Sequence, residues 1–246
     1  MLQIIVPLGG AAVRFQEHGY TFPKPLIEIG NESMIEVVLK NLAPPAPFQF
    51  TFICRKEHLT KFYLRDVLQL LAPGCRIITL EEDTAGALCS VLLAIDQLDL
   101  DSELLVANGD QFIEGGLGGF YEACRQPDVD GCILTFGATH PRWSFVKRDR
   151  LGHVIAVAEK RPISKEATAG LYYFRTARDF VEASERMIVK GLTTAGQFFV
   201  APVYNELILH GKTITTSQLP DGVMHSMGTP EDIEAFLKYY PPLNRR

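Results

Sequence analysis

Two basic residues, Arg14 and Lys24, stand behind a short run of small residues, Gly9-Gly10-Ala11-Ala12. Small side chains let backbone N–H groups approach an anion closely, and the two cations add fixed positive charge just beyond. Lys24 sits between Pro23 and Pro25. These prolines restrict the backbone on both sides, so the lysine can be held in place at low entropic cost. That combination is what a triphosphate needs. Taken singly, each part has a plainer reading: Gly-Gly is an ordinary turn, and Arg14 a solvated surface charge. The segment fits neither the G-x-G-x-x-G dinucleotide pattern nor the G-x-x-x-x-G-K-[ST] P-loop.

Three further stretches carry candidate chemistry. In Glu81-Glu82-Asp83-Thr84-Ala85-Gly86-Ala87, small residues lead into an apolar segment and leave room for a flat ring, or form a plain capped turn. Asn108-Gly109-Asp110-Gln111 follows the apolar run Leu104–Ala107. A carboxylate there is well placed to meet a divalent cation on phosphates, since ligands of open α/β sheets bind outside the carboxyl ends of the strands; a turn residue is the alternative. Glu159-Lys160-Arg161-Pro162 precedes Ala169-Gly170-Leu171-Tyr172-Tyr173-Phe174, and Glu159-Lys160 alone reads equally as a solvated strand end. Lys147, Arg148 and Arg161 add positive charge nearby without a pattern of their own. Trp143, the single tryptophan, is a ligand platform or a partly buried anchor. No Ser/His/Asp or Cys/His nucleophile pattern is present, and the six histidines share no metal-ligand spacing.

The elements that must position these residues alternate. Leu2–Leu8 is apolar except for Gln3 and Pro7 and reads as a buried parallel strand. Ile27–Ile29 reads as a short strand. Ser33 with Glu36 three residues on forms a capping box for a helix carrying Met34, Ile35, Val38 and Leu42, stopped by Pro44-Pro45. Strands are then expected at 48–54, 76–80, 104–107 and 131–136, and helices at 57–71, 88–98 and 117–124. This order implies a parallel sheet covered on both faces. Beyond it the period changes. Short strands at 144–147 and 153–158 flank the turn Asp149–Gly152, a strand runs over 169–174, and Thr176 caps a helix over 177–190. A helix over 198–210, a strand over 213–217 and a last helix at Pro230, capped by Thr229, complete the pattern. The expected fold is Rossmann-like α/β, a mixed and mostly parallel sheet flanked by helices, with a small acceptor-binding β-region. It forms one domain over 1–246, in which 1–138 mainly bind nucleotide and 139–246 mainly bind acceptor.

The string from Gly9 through Pro23-Lys24-Pro25 resembles the signature of the sugar-phosphate nucleotidyltransferases, and the resemblance extends over nearly the whole chain. It implies that Leu8, Gly9, Gly10 and Ala11 wrap a nucleoside triphosphate, and that Arg14 and Lys24 stabilise the pyrophosphate leaving group. Thr84, Gly86 and Ala87 would lie beside the base, Asn108 and Gly109 would complete the nucleotide site, and Asp110 would be the metal ligand, with Mg2+ the natural ion. "Glu-Lys-x-Pro, then Gly-Leu-Tyr-Tyr-Phe" resembles the family's acceptor region. It implies that Glu159 accepts hydrogen bonds from acceptor hydroxyls, Lys160 neutralises the acceptor phosphate, and Gly170 permits close approach. Gly228-Thr229-Pro230-Glu231-Asp232 resembles the turn that closes the site. The chain departs from the pattern at three places. Ala12 stands where a second glycine is usual, Val13 where Ser or Thr is usual, and Ser226 where many members carry a second metal-binding Asp.

The implied reaction joins an NTP to a small phosphorylated acceptor and releases pyrophosphate. CTP is the first expectation, with UTP or dTTP open, and the acceptor is a sugar 1-phosphate or a non-sugar phosphate. Compact cytidylyltransferases look closest. Two alternatives stay open: a glycosyltransferase on the same kind of fold, against which Gln111-Phe112 after Asp110 counts because no Asp-x-Asp pair forms, and an inactive nucleotide-sugar-binding relative, which Ala12, Val13 and Ser226 favour. Composition bounds the rest. With 24 Lys and Arg against 29 Asp and Glu, net charge −5, a nucleic-acid surface is not the main function. Five scattered cysteines without metal or redox spacing read as reduced core thiols. No apolar run reaches the ~18 residues of a membrane span and no basic leader precedes the first strand. The expectation is a soluble, cytoplasmic protein without a membrane partner, and a homo-oligomer is compatible with it.

Overall fold

The computed structural model describes residues 1–10 and 12–240. In chain order its elements are β1 (Leu2–Pro7), α1 (Val13–Glu17), β2 (Glu28–Ile29), β3 (Glu32–Ser33), α2 (Met34–Leu42), β4 (Phe48–Arg55), α3 (Lys56–Lys61), α4 (Leu64–Leu71), β5 (Arg76–Leu80), α5 (Ala87–Leu92) and β6 (Leu104–Ala107). There follow β7 (Gln111–Ile113), α6 (Gly118–Cys124), β8 (Gly131–Gly137), β9 (Ser144–Arg148), β10 (Val154–Glu159), β11 (Glu166–Phe174), α7 (Ala177–Val189), α8 (Val203–Leu209), β12 (Ile214–Gln218), β13 (Met224–Ser226) and α9 (Pro230–Leu237).

A mixed α/β fold results. Strands β5, β4, β1 and β6 pair in parallel, and β11 then joins β6 antiparallel. On its other edge β11 pairs β8, to which β12 adds in parallel, while Ala167 of β11 also touches β9 on the edge opposite β8, and β9 extends to β10. The sequence of β1 accounts for its central place. Ile4 and Val6 pack with α2 residues Met34, Ile35 and Val38 on one face, and Ile5 with Leu88, Val91 and Phe180 of α5 and α7 on the other. A strand buried on both faces has no reason to alternate in polarity. Its one interior polar residue, Gln3, is satisfied by donating to Asp99 O and accepting from Asp99 N, both at 2.8 Å. Each buried apolar side chain here is worth ~2 kcal/mol against exposure.

Local expectations fail in three places, each for a visible reason. The helix expected over 57–71 is broken into α3 and α4 at Tyr63, whose φ is 53°. The helix expected over 88–98 ends at Leu92 and resumes only as a 3-10 turn, Ile95–Gln97. The helix expected from 198 begins at Val203, because Phe198 is committed elsewhere: its N–H donates to Ala85 O at 2.8 Å and its carbonyl accepts from Leu88 N at 3.1 Å. The short helix α1, the strand β3 and a ribbon at the site were not anticipated. Strands β7 and β13 form a separate two-stranded ribbon that sets Gln111 opposite Ser226. Among the described residues no helix is long and apolar enough to cross a membrane.

Candidate active site

The carboxyl ends of β1 and β6 open onto a cleft of about 690 Å³. Leu8, Gly9, Gly10, Arg14 and Lys24 line it after β1, Thr84, Gly86 and Ala87 before and within α5, and Asn108, Gly109 and Asp110 after β6. Of the residues expected to bind nucleotide, Ala11 alone lies outside the described residues. Ala12 has φ 50°, in the left-handed region that glycine occupies freely and alanine does not. The backbone therefore keeps a conformation suited to glycine, although the side chain is a methyl group. Phe15 is buried beneath α1, and the Lys24 ammonium lies 5.6 Å above its ring.

Lys24 opens a 3-10 turn, Lys24–Leu26, with Pro23 extended before it and Pro25 buried after it. Its Nζ donates to Asp110 Oδ2 at 2.5 Å, joining the first loop to the end of β6. On the opposite side, Gly86 has φ 132°, and a Cβ there would stand 2.3 Å from Phe198 O. Only glycine fits. Thr84 Oγ1 donates to Gly86 O at 2.9 Å, tightening the same turn. Arg55, at the end of β4, donates from Nε to Gly9 O at 2.7 Å and pairs with Asp83.

A second cavity of about 380 Å³ adjoins the first. Five residues, Arg14, Ala87, Asn108, Asp110 and Gly228, line both. Glu159 and Gly170 line the second cavity with Gln111, Ser144, Thr168 and Tyr172. Gly170 has φ 75°, and a Cβ on it would meet the Gln111 amide at 2.3 Å, so glycine here makes room for that side chain. Gln111 is buried, and among the described residues its Oε1 has no hydrogen-bond partner. Ser144 donates to Glu159 Oε2. Burial pushes the Glu159 carboxyl above its ordinary range, against the opposing pull of that hydrogen bond and of Lys160. Burial likewise pushes the Tyr172 phenol up, and its hydroxyl shares a 2.9 Å hydrogen bond with Thr168.

Lys160 is the expected site residue that the cavity does not collect. Its Nζ lies 4.7 Å over the ring of Phe199, which lines the cavity, and its φ is 52°. Two residues that sequence reasoning passed over are present instead. Arg142 lines the cavity, stacks 4.3 Å from Trp143 and donates from one guanidinium nitrogen to both oxygens of Asp232 at 3.1 and 3.3 Å. Asp232 also accepts from Ser226 Oγ at 2.9 Å. In sequence Asp232 reads as a capping acid of α9, and its N–H does donate to Thr229 Oγ1; nothing local shows that its carboxylate turns to the cavity.

The carboxylates of Asp110 and Asp232 and the side-chain amide of Gln111 line the second cavity together, Asp110 at its junction with the first. Such a set suits a hard cation. Among the described residues no group of three or more His, Cys, Asp or Glu is placed to hold a metal. A cation at Asp110 would thus complete its shell with phosphate and water oxygens, as Mg2+ does.

The chain belongs to the nucleotidyl transferase family, whose model matches residues 4–188. It is a nucleotidyl-transferring enzyme, and enzymes of this family generally use divalent metal ions. Among solved structures, the chain is similar to the nucleoside-diphosphate-sugar pyrophosphorylase from Vibrio cholerae RC9, at TM-score 0.83 and 29% identity over 96% of this chain and 99% of that one. It shares its fold with a protein from Bacillus anthracis designated a glucose-1-phosphate thymidylyltransferase and solved with a sucrose, at TM-score 0.76 and 19% identity over 100% of this chain and 98% of that one. No curated protein matches the chain.

Proposed function

We propose that the enzyme transfers a nucleotidyl group from an NTP, CTP first among the candidates, to a sugar 1-phosphate or another small phosphorylated acceptor. The observation that carries this reading is the junction of two cavities at Arg14, Asn108 and Asp110. One cavity has the small-residue loop and cations that a triphosphate needs. The other has the half-buried carboxylate of Glu159, the hydroxyls of Ser144 and Thr168, and the amide of Gln111, groups that recognise a polyhydroxylated acceptor. The name of the Vibrio cholerae protein, a nucleoside-diphosphate-sugar pyrophosphorylase, supports the same acceptor class.

In this reading an acceptor phosphate oxygen attacks the α-phosphorus. A new P–O bond forms, and the bond to the β-phosphate breaks with its electron pair leaving on pyrophosphate. The acceptor phosphate is already ionised near neutral pH, so the protein supplies position and charge rather than a base. Arg14 and Lys24 hold the leaving pyrophosphate, Thr84, Gly86 and Ala87 receive the base, and Glu159 accepts from acceptor hydroxyls. Lys160 reaches the acceptor phosphate by leaving the ring of Phe199. Asp110 would hold Mg2+, which when bound neutralises charge on the α-phosphate. The test is a pyrophosphate-release assay of CTP, UTP, dTTP, ATP and GTP against a panel of sugar 1-phosphates and alcohol phosphates. Release with one pair and none without acceptor is the expected result. No release with any pair would remove the proposal.

A further inference from the structure

Ser226 occupies the position at which the resemblance leads one to expect a second carboxylate, yet the structure brings a carboxylate there from six residues further along. Ser226 Oγ donates to Asp232 Oδ2 at 2.9 Å and accepts from Gly228 N at 3.1 Å. The point where a Cβ of Gly228 would stand is 3.5 Å from Asp232 Oδ2 and 3.6 Å from Asp110 Oδ2, so both oxygens border one small space. Met227 N donates to Asp110 O at 2.7 Å, tying the Ser226–Gly228 turn to the residue before β7. We propose that Asp232 is the second carboxylate for the divalent cation at Asp110, positioned by the Ser226 hydroxyl.

Charge accounting supports it. Asp110 is neutralised by Lys24, and Asp232 by Arg142. A triphosphate and a phosphorylated acceptor entering the two cavities compete for those cations. Each ion pair that opens leaves a partly buried carboxylate facing phosphate oxygens, an arrangement whose cost only another cation removes. A second, independent feature points the same way. Gln111 stands opposite Ser226 across the β7–β13 ribbon, is 6% exposed, lines the cavity that Asp110, Ser226 and Asp232 line, and holds a buried Oε1 with no partner among the described residues. A carbonyl-type oxygen without a donor, on a side chain that lines the same cavity as the two carboxylates, fits a hard cation and its bound water.

The inference rests on the nucleotidyl-transfer reading, but its test does not need turnover. Mn2+ is titrated into the full chain with and without excess inorganic pyrophosphate, each against a protein-free blank, and free Mn2+ is followed by its electron paramagnetic resonance signal. Asp232→Asn is expected to weaken Mn2+ binding at least tenfold, and Asp110→Asn to abolish it. Ser226→Asp placed in the Asp232→Asn background is expected to restore binding to within a few-fold of wild type, which a merely structural role for Asp232 would not allow. Melting curves of each variant identify any that fail to fold, and the rescue by Ser226→Asp then decides. Wild-type affinity in Asp232→Asn, absence of rescue, or no Mn2+ binding by the wild type at millimolar concentration would each overturn the assignment. Pyrophosphate release by the wild type, measured separately, shows whether the reaction class stands regardless.

Discussion

The Lys24 ammonium stands 2.5 Å from Asp110 Oδ2, and the two come from loops 86 residues apart that end adjacent parallel strands. In the free protein each group neutralises the other, whereas the proposed reaction needs both against phosphate, the ammonium directly and the carboxylate through a cation. Lys24→Ala should therefore lower kcat/KM by 10²–10³, about 3–4 kcal/mol of transition-state stabilisation, as removal of a single preorganised donor does. The pair is partly exposed, 21% and 25% for the two side chains. Loss of such a pair costs roughly 1 kcal/mol or less, so the melting temperature should fall by no more than a few degrees. Steady-state pyrophosphate release and a thermal melt separate the two effects; unchanged kcat/KM would remove Lys24 from the leaving-group role.

Gly86 gives a second prediction of opposite kind. A methyl group at this residue meets the backbone of Phe198, not a side chain that can swing aside, and φ 132° is strained for alanine in any case. Gly86→Ala should destabilise the protein by ~2–3 kcal/mol, the cost of left-handed strain plus a shifted backbone contact. It should also weaken NTP binding more than acceptor binding, because the displaced turn carries Thr84 and Ala87. Calorimetric titration of each substrate checks the asymmetry, and equal losses for both would refute it.

How much of this was visible before the fold? Strands β1, β4, β5 and β6 were: β1 and β6 leave the near-continuous apolar run of strands buried on both faces, and β4 and β5 follow the breakers Pro44-Pro45-Ala46-Pro47 and Pro73-Gly74. So was the placing of Lys24, because its prolines act locally. The β7–β13 ribbon was not: three residues against three carry too little periodicity, and their register depends on residues more than a hundred positions apart. Asp232 and Arg142 escaped for the same reason. Each has an adequate local reading, as a first-turn acid of α9 and as an exposed arginine, and only the ribbon that places Ser226 beside Asp110 turns them into one group. The break at Tyr63 has no turn residue to announce it, since a tyrosine adopts a left-handed φ there.

Ala12 holds a glycine-like φ of 50° without being glycine. The left-handed cost of an alanine is ~1–2 kcal/mol, and glycine gives back ~0.5–1 kcal/mol through the entropy of the unfolded chain. Ala12→Gly should therefore stabilise the protein by up to about 1 kcal/mol and raise the melting temperature by ~2–4 °C. A thermal melt at neutral pH tests it, and a lower melting temperature would show that the alanine methyl makes a compensating contact.

Glu159 sets stability against function, and pH should expose the conflict. Burial raises its carboxyl above the ordinary 4.5, so the folded protein binds that proton more tightly than the unfolded chain does. Below the unfolded value both states are protonated and the group carries no penalty. As pH rises through the folded value, ionisation is resisted only in the folded state, and stability is lost. Glutamine cannot ionise and can still accept from Ser144. Glu159→Gln should accordingly melt at a higher temperature than wild type at pH 7, with the difference closing by about pH 4, the ordinary range of a free carboxyl. Over the same range the variant should bind the acceptor at least tenfold more weakly at pH 7, because a hydrogen bond to a charged acceptor, worth ~1.5–3 kcal/mol, is replaced by one to a neutral amide. Melting curves at the two pH values with acceptor KM at pH 7 test both halves. A variant less stable at pH 7 would mean that Glu159 is held ionised by partners rather than strained by burial.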